Sequence, residues 1–117
     1  MDSILNSVKK VIGGDPTDNS FDTDLIMHIN SIFGVLRQEG IGPESGFRIT
    51  GDTEVWNDFT ADDITLEMVK SLIYLRVRMI FDPPSSSLVA ESFKEQIKEF
   101  ETRLYFEKNY GGFEPNE

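Results

Sequence analysis

The segment from about Thr65 to Phe81 constrains the fold of this chain more than any other part. Its apolar residues follow two adjacent stripes at helical spacing, so the predicted helix is apolar over most of its circumference. Asp82-Pro83-Pro84 ends it abruptly, because proline cannot continue a helix. This pattern predicts the central, most buried helix of an all-α bundle. The stripes are Met68, Leu72, Leu75 and Met79, and Val69, Ile73, Val77 and Ile80.

Two shorter helices are predicted before this central one. The first covers residues 3–12 and stops at the Gly-Gly-Asp-Pro sequence that follows. The second begins at an N-cap supplied by Asp22 or Thr23 and runs to about Glu39, where Gly40 closes it. Asp62 and Asp63 place negative charge at the start of the central helix, where the helix dipole favours it.

A last helix is predicted from about Leu88 to Lys108, after a serine triplet at residues 85–87 that offers an N-cap. Its apolar stripe consists of Val89, Phe93, Ile97, Phe100 and Leu104. Residues 110–117 are expected to form a mobile acidic tail. The fold class is therefore all-α, with residues 1–117 forming one domain of about four helices.

A long irregular loop, residues 40–59, joins the second and third predicted helices. Gly51-Asp52 lies between two short apolar runs and permits a small hairpin, although residues 54–57 fit a helical turn equally well. The loop also contains Phe47, Trp56 and Phe59. Together with the aromatic residues after residue 104, these are numerous for one small core, and they either fold back onto the helices or anchor a protein interface.

The charge balance restricts the possible partners. The chain has 21 acidic and 11 basic residues and a formal net charge of −10, which disfavours general binding to nucleic acid phosphates. Copies of the chain repel one another, so a homo-oligomer needs apolar contacts or specific ion pairs. There is no cysteine, and no apolar run approaches the length of a membrane helix. The N-terminal segment lacks the order of a signal peptide.

No residue pattern predicts catalysis, a cofactor or a metal site. His28 is the only histidine, and a structural role at the edge of the core is expected for it. The pairs Asp22/Asp24 and Asp62/Asp63 each precede a helix, so capping is favoured over cation binding. Glycine-rich phosphate loops are absent, and no neighbouring residue activates the serine triplet.

Two arginines lie on the central helix, where a guanidinium has to reach solvent, pair with a carboxylate or cross into a neighbouring subunit. They are Arg76 and Arg78. An ion pair within the chain is the expected arrangement, and a contact between subunits is the alternative.

Several strings resemble the head-tail connector, or head completion, family of tailed double-stranded-DNA phages. They are FDTDLIMHINSIF, IGPESGFRI, VWNDF, VKSLIYLRVRMIFDPPSSS and ESFKEQIKEFETRL. The first four span roughly residues 21–87, and the FDPPSSS junction is the most specific of them. The match rests on the order of elements and on these strings, since none of them is a chemical motif.

The resemblance implies a non-enzymatic virion protein at the head-tail junction, made in the host cytoplasm. Such subunits form a ring, here expected to be a dodecamer, that binds the portal protein and a downstream tail or head-closure protein. DNA passes through the ring without sequence-specific binding, and an acidic bore is expected to keep it from adhering. No membrane contact is implied. The residues expected to make oligomer or portal contacts are Phe47, Arg48, Trp56, Arg76, Tyr105 and Phe106.

An alternative is a small acidic regulator, such as a DNA mimic that presents carboxylates to a basic protein. A mimic needs carboxylates spaced like phosphates on one face, whereas a ring subunit needs two different complementary faces. An enzyme is a third and more distant alternative, since it would require a metal site built from carboxylates alone.

Overall fold

The computed structural model of the chain describes residues 3–13, 15 and 17–110, with the backbone alone for residues 107–110. The helices are α1 (Ile4–Val11), α2 (Asp22–Gln38), α3 (Trp56–Phe59), α4 (Asp63–Phe81) and α5 (Ser87–Tyr110). The all-α prediction is confirmed, and no named strand occurs in the described part of the chain. The helix beyond the expected four is α3, a single turn inside the predicted loop. The expected tail lies outside the described residues after Tyr110.

Helix α4 lies at the centre of the bundle, as its two apolar stripes predict. It packs against α1, α2 and α5. Its start is capped as expected, because the Asp62 carboxylate accepts hydrogen bonds from the backbone N–H groups of Ile64, at 3.1 Å, and Thr65. Its buried side chains are Leu66, Val69, Leu72, Ile73 and Val77.

The start of α2 differs from the prediction. Phe21 occupies the N-cap position and makes no side-chain cap, so neither Asp22 nor Thr23 acts as the cap. The reason is that Asp22 reaches across to α1, where one of its carboxylate oxygens lies 2.5 Å from Lys9 Nζ. The end of α2 agrees with the prediction, since Gly40 adopts a left-handed φ of 81°.

Helix α5 is covered unevenly along its length. Near its C-terminal end Leu104 is 1% exposed, whereas Val89, the first residue of the predicted stripe, is 42% exposed, and Leu88 beside it is 79% exposed. The serine cap is confirmed, because the Ser86 hydroxyl accepts a long hydrogen bond, 3.4 Å, from the Val89 N–H. The predicted stripe therefore packs on α4 toward the C-terminus and emerges into solvent toward the N-terminus.

Four helix ends meet at one end of the bundle, which we call the junction end. The His28 ring of α2 meets the Phe81 ring of α4 edge to face, with centroids 5.4 Å apart. Ile12, just after α1, and Phe21, just before α2, line a groove together with Phe81. Because α5 begins six residues after α4 ends, its start lies at the same end.

Candidate interaction surfaces

The segment between α2 and α3 is pinned to the helices at several points. The Asn30 amide donates to the Ile49 carbonyl at 2.9 Å, and the Asn30 oxygen accepts from the Ile49 N–H at 2.7 Å. Arg37 Nε donates to the Glu44 carbonyl at 3.0 Å. Ile49 is buried against the helices at 1% exposure. The loop is thus an ordered part of the core, although it has no regular secondary structure.

The loop aromatics fold back onto the helices, which is one of the two alternatives raised by the sequence. The rings of Phe47 and Phe59 lie 5.0 and 4.9 Å from the ring of Phe33 on α2. Trp56 is 5% exposed, and its indole N–H donates to the Ser7 hydroxyl at 3.0 Å. Phe47 and Trp56, two of the six expected interface residues, therefore have structural roles inside the subunit.

The sequence is compatible with a hairpin around Gly51-Asp52 and, equally, with a helical turn at residues 54–57; the structure has no hairpin there, and a helical turn, α3, begins at Trp56. The Glu54 carboxylate accepts hydrogen bonds from the Thr50 N–H, at 2.9 Å, and from the Thr50 hydroxyl, at 2.8 Å. The following residue, Val55, makes a single antiparallel bridge with Ser3. The neighbouring Ile4 N–H donates to the Glu54 carbonyl at 2.9 Å. Contacts with Ser3 and Ile4, together with the hydrogen bonds between Thr50 and Glu54, fix this segment.

Glu54 is partly withdrawn from solvent, and burial tends to raise the pKa of its carboxyl group. The hydrogen bonds from Thr50 outweigh that effect and hold the pKa of Glu54 below its usual value. The carboxylate therefore stays ionised as the acceptor that closes this turn.

The arginines occupy different environments. Arg76 pairs with Glu101 of α5 within the chain, as the default interpretation predicted. The guanidinium of Arg78 lies 5.1 Å from the centre of the Phe93 ring. Arg48 is exposed, and it is the one arginine in the described part of the chain with neither a hydrogen bond nor an ion pair. Of the expected interface arginines, Arg48 alone offers an unengaged cation.

Tyr105 and Phe106 lie near the C-terminal end of α5. Tyr105 is 45% exposed and Phe106 is half-buried, and their ring centroids are 5.9 Å apart in an edge-to-face arrangement. Neither residue is sequestered in the core in the way Trp56 is. Their assignment to an interface stays a prediction.

The sequence pattern did not identify the most exposed apolar side chains. Those more than 40% exposed outside the predicted interface set are Phe21, Met27, Val35, Ile64, Ile80, Leu88 and Val89. Four of these seven, Phe21, Ile80, Leu88 and Val89, lie at the junction end. Only Ile80 and Val89 belong to the predicted apolar stripes of the helices, so periodicity assigned these two to the interior, and the other five lie outside those stripes.

The charged residues Lys9, Asp22 and Asp62 have structural roles within the subunit. Lys9 is 3% exposed, and its ammonium donates to the Asp18 carbonyl at 3.0 Å beside its ion pair with Asp22. Hydrogen bonds from the Thr65 hydroxyl and from backbone N–H groups lower the pKa of Asp62. Capping thus accounts for Asp62, and the contact with Lys9 accounts for Asp22.

The described residues include no cluster of three or more histidine, aspartate and glutamate side chains able to hold a metal ion. Within the same residues, no helix combines the length and apolar character needed to cross a membrane. His28 packs against Phe81 at the edge of the core.

Comparison with known proteins gives one match. A protein-family model described as phage connector protein matches residues 4–111, which is nearly the whole chain and includes all five helices. No curated protein and no solved structure matches.

Proposed function

The chain belongs to the phage connector protein family, and from this premise we propose that it is a head-tail connector subunit forming a ring below the portal. The observation that carries the proposal is the family match over residues 4–111. Its general role is that of a structural component of a phage. The ring, its position and its partners are the specific content of the proposal.

The architecture suits a building block that acts by binding. The loop is ordered, and Ser3 and Ile4 are held by contacts with Val55 and Glu54. The described part of the subunit therefore needs little rearrangement before it docks, and this lowers the entropic cost of assembly. The loop does not need to become ordered on docking, because Asn30 and the aromatic contacts with Phe33 already hold it.

A ring of twelve such subunits would bind the portal protein on one side and a downstream tail or head-closure protein on the other. DNA would pass through the opening without sequence-specific contacts. With a net charge of −10 for each subunit, we expect carboxylates to predominate along the bore. At physiological salt the Debye length is about 8 Å, so only charges lining the bore act on the duplex. An acidic lining repels phosphates and lets the DNA move.

The first test is the mass of the purified full-length chain, measured by light scattering over a range of protein and salt concentrations. A closed oligomer near twelve subunits supports the proposal. If the chain is a monomer, the measurement is repeated with portal protein as template, and ring formation is then expected. A stable dimer would favour the acidic regulator. A chain that remains monomeric with portal present would contradict the ring.

A further inference from the structure

We propose that the exposed face of α2 around Arg48 is the docking surface for the start of α5 of a second copy of this chain. The inference rests on the proposed ring, because such a ring needs two different faces that fit each other head to tail. It names those two faces and the side chains that meet. Arg48 and Leu88 are the central residues of the proposed contact.

The first face, on α2, carries few charged residues although the chain as a whole is strongly acidic. Between Leu25 and Leu36, α2 carries no aspartate, glutamate, lysine or arginine. Met27 is 60% exposed and Val35 is 43% exposed within this stretch. Two copies with a net charge of −10 each repel one another. A stable contact between them is therefore favoured where the two faces bring few carboxylates together. The exposed face of α2 meets that condition except for Asp24, which lies three residues before Met27.

A groove of about 480 Å³ is set into this face. Ile26 and Met27 give it an apolar part, and the exposed Arg48 stands at its edge. Since Arg48 has no partner among the described residues, its guanidinium is available to a carboxylate from outside. Arginine next to an apolar recess is typical of the residues that dominate protein interfaces.

The second face offers the complementary chemistry. Leu88 is 79% exposed, the highest value among the exposed large apolar side chains of the described residues. Glu91 follows three positions later, so the two side chains are neighbours on the surface of α5. Its ion pair with Lys94, at 3.4 Å, joins two well-exposed side chains and contributes little. Leu88 would enter the groove of the next copy while Glu91 meets its Arg48.

A similar pair on α4 is the closest competitor. Ile64 is 70% exposed and Glu67 follows three positions later. The flanking residues Asp62 and Asp63 add negative charge there. Leu88 instead adjoins Val89, and the junction end places further exposed apolar surface near it. Both sites offer one glutamate three positions after an exposed apolar residue, but the start of α5 would bury more apolar area on docking. Ile64 therefore serves as the matched control.

Single-cysteine variants test the contact directly, because the chain contains no cysteine of its own. Met27→Cys is mixed with Leu88→Cys under the conditions in which the wild-type chain forms its large oligomer, with portal protein if required. Mild oxidation and a non-reducing gel are expected to show a cross-linked dimer. The mixture of Met27→Cys with Ile64→Cys, and each variant alone, should give none. These three side chains are exposed, so folding is expected to be preserved.

Charge reversal provides a second measurement that does not depend on disulfide geometry. Arg48→Glu or Glu91→Arg alone should weaken subunit association at least about 10-fold, equivalent to about 1.4 kcal/mol. An equimolar mixture of the two variants should assemble again, because alternating subunits restore opposite charges at every contact. Ion-pair rescue of this kind is not expected from the matched variant Glu67→Arg.

The outcomes separate this inference from the proposed ring. A ring that forms without the Met27–Leu88 cross-link, or that gives an equal Met27–Ile64 cross-link, overturns the docking surface and leaves the ring standing. Failure of the mixed charge variants to reassemble also counts against the contact. A wild-type chain that never forms a large oligomer, with or without portal, overturns both.

Discussion

The side-chain amide of Asn30 forms two hydrogen bonds with the main chain of Ile49, one through its NH₂ group and one through its oxygen. The two hydrogen bonds join α2 to a loop residue nineteen positions away and occupy both main-chain polar groups of Ile49, whose side chain is buried. These hydrogen bonds attach a segment without regular secondary structure directly to α2.

Replacing Asn30 by alanine should destabilise the protein by about 1 to 3 kcal/mol, because the Ile49 N–H and carbonyl lose their partners in a partly buried position. Urea unfolding followed by circular dichroism gives the free energy of unfolding. Asn57→Ala is the control, since Asn57 is exposed, and its effect should stay within about 0.5 kcal/mol. Equal effects of the two substitutions would show that the clamp contributes nothing.

Two glycines should respond to alanine in opposite directions. Gly42 has a φ of 90°, and a Cβ there would lie 2.5 Å from Phe59 Cε1, so Gly42→Ala should cost at least about 1 kcal/mol. Gly34 lies within α2 with no atom within 4 Å of such a Cβ, and Gly34→Ala should stabilise the helix by about 0.5 to 1 kcal/mol. Thermal unfolding of both variants and the wild type measures the difference, and shifts of the same sign would contradict the prediction.

The ion pair between Lys9 and Asp22 should be asymmetric when it is broken. The Lys9 side chain is 4% exposed and the Asp22 side chain 24% exposed. Asp22→Ala leaves a buried ammonium without its carboxylate, and we expect a loss of about 2 kcal/mol or more. Lys9→Met leaves a carboxylate on a side chain that is 24% exposed, although the oxygen that faces Lys9 is itself buried, so the loss should be smaller than for Asp22→Ala. Chemical unfolding compares the two, with Asp24→Ala as the exposed control; a larger loss for Lys9→Met would refute the argument.

Acid should remove the contribution of the Asp62 carboxylate at the start of α4. Because hydrogen bonds lower its pKa in the folded state, the charge stabilises the protein above the ordinary pKa, and this stabilisation disappears as the pH falls through the folded value. Asp62→Asn keeps a good N-cap without the charge. The stability difference between wild type and this variant should therefore narrow as the pH falls from about 6 to below about 3.9. A difference that does not change with pH would show that the charge is irrelevant.

Local signals in the sequence predicted much of the fold. The two stripes of α4, the Asp62 cap and the stop at Gly40 all act within one or two helical turns, so they can be recognised from spacing alone. Trp56 shows the limit of prediction from local spacing. Its place in the core depends on Ser7, forty-nine residues earlier, and no periodic pattern connects the two. Val89 shows the converse, because it belongs to the predicted apolar stripe of α5 but is 42% exposed.

The residues of the candidate interface were only partly predictable from the sequence, for the same reason. The number of aromatic residues indicated that those of the loop either pack onto the helices or anchor an interface, and Phe47 packs against Phe33 within the subunit. Arg48, its neighbour in sequence, faces solvent. Adjacent residues of an irregular loop can thus face opposite environments, and only the three-dimensional path of the backbone determines which one faces outward.

The contacts of α1 with Glu54, Val55 and Trp56 also set an order of events during synthesis. This helix is translated before these partners, which follow about fifty residues later in the chain. At typical translation rates of about 5 to 20 residues per second, its apolar face waits several seconds before they emerge. A nascent chain paused within that interval would present the face of Ile4, Leu5 and Val8 to chaperones, although the finished protein conceals it entirely.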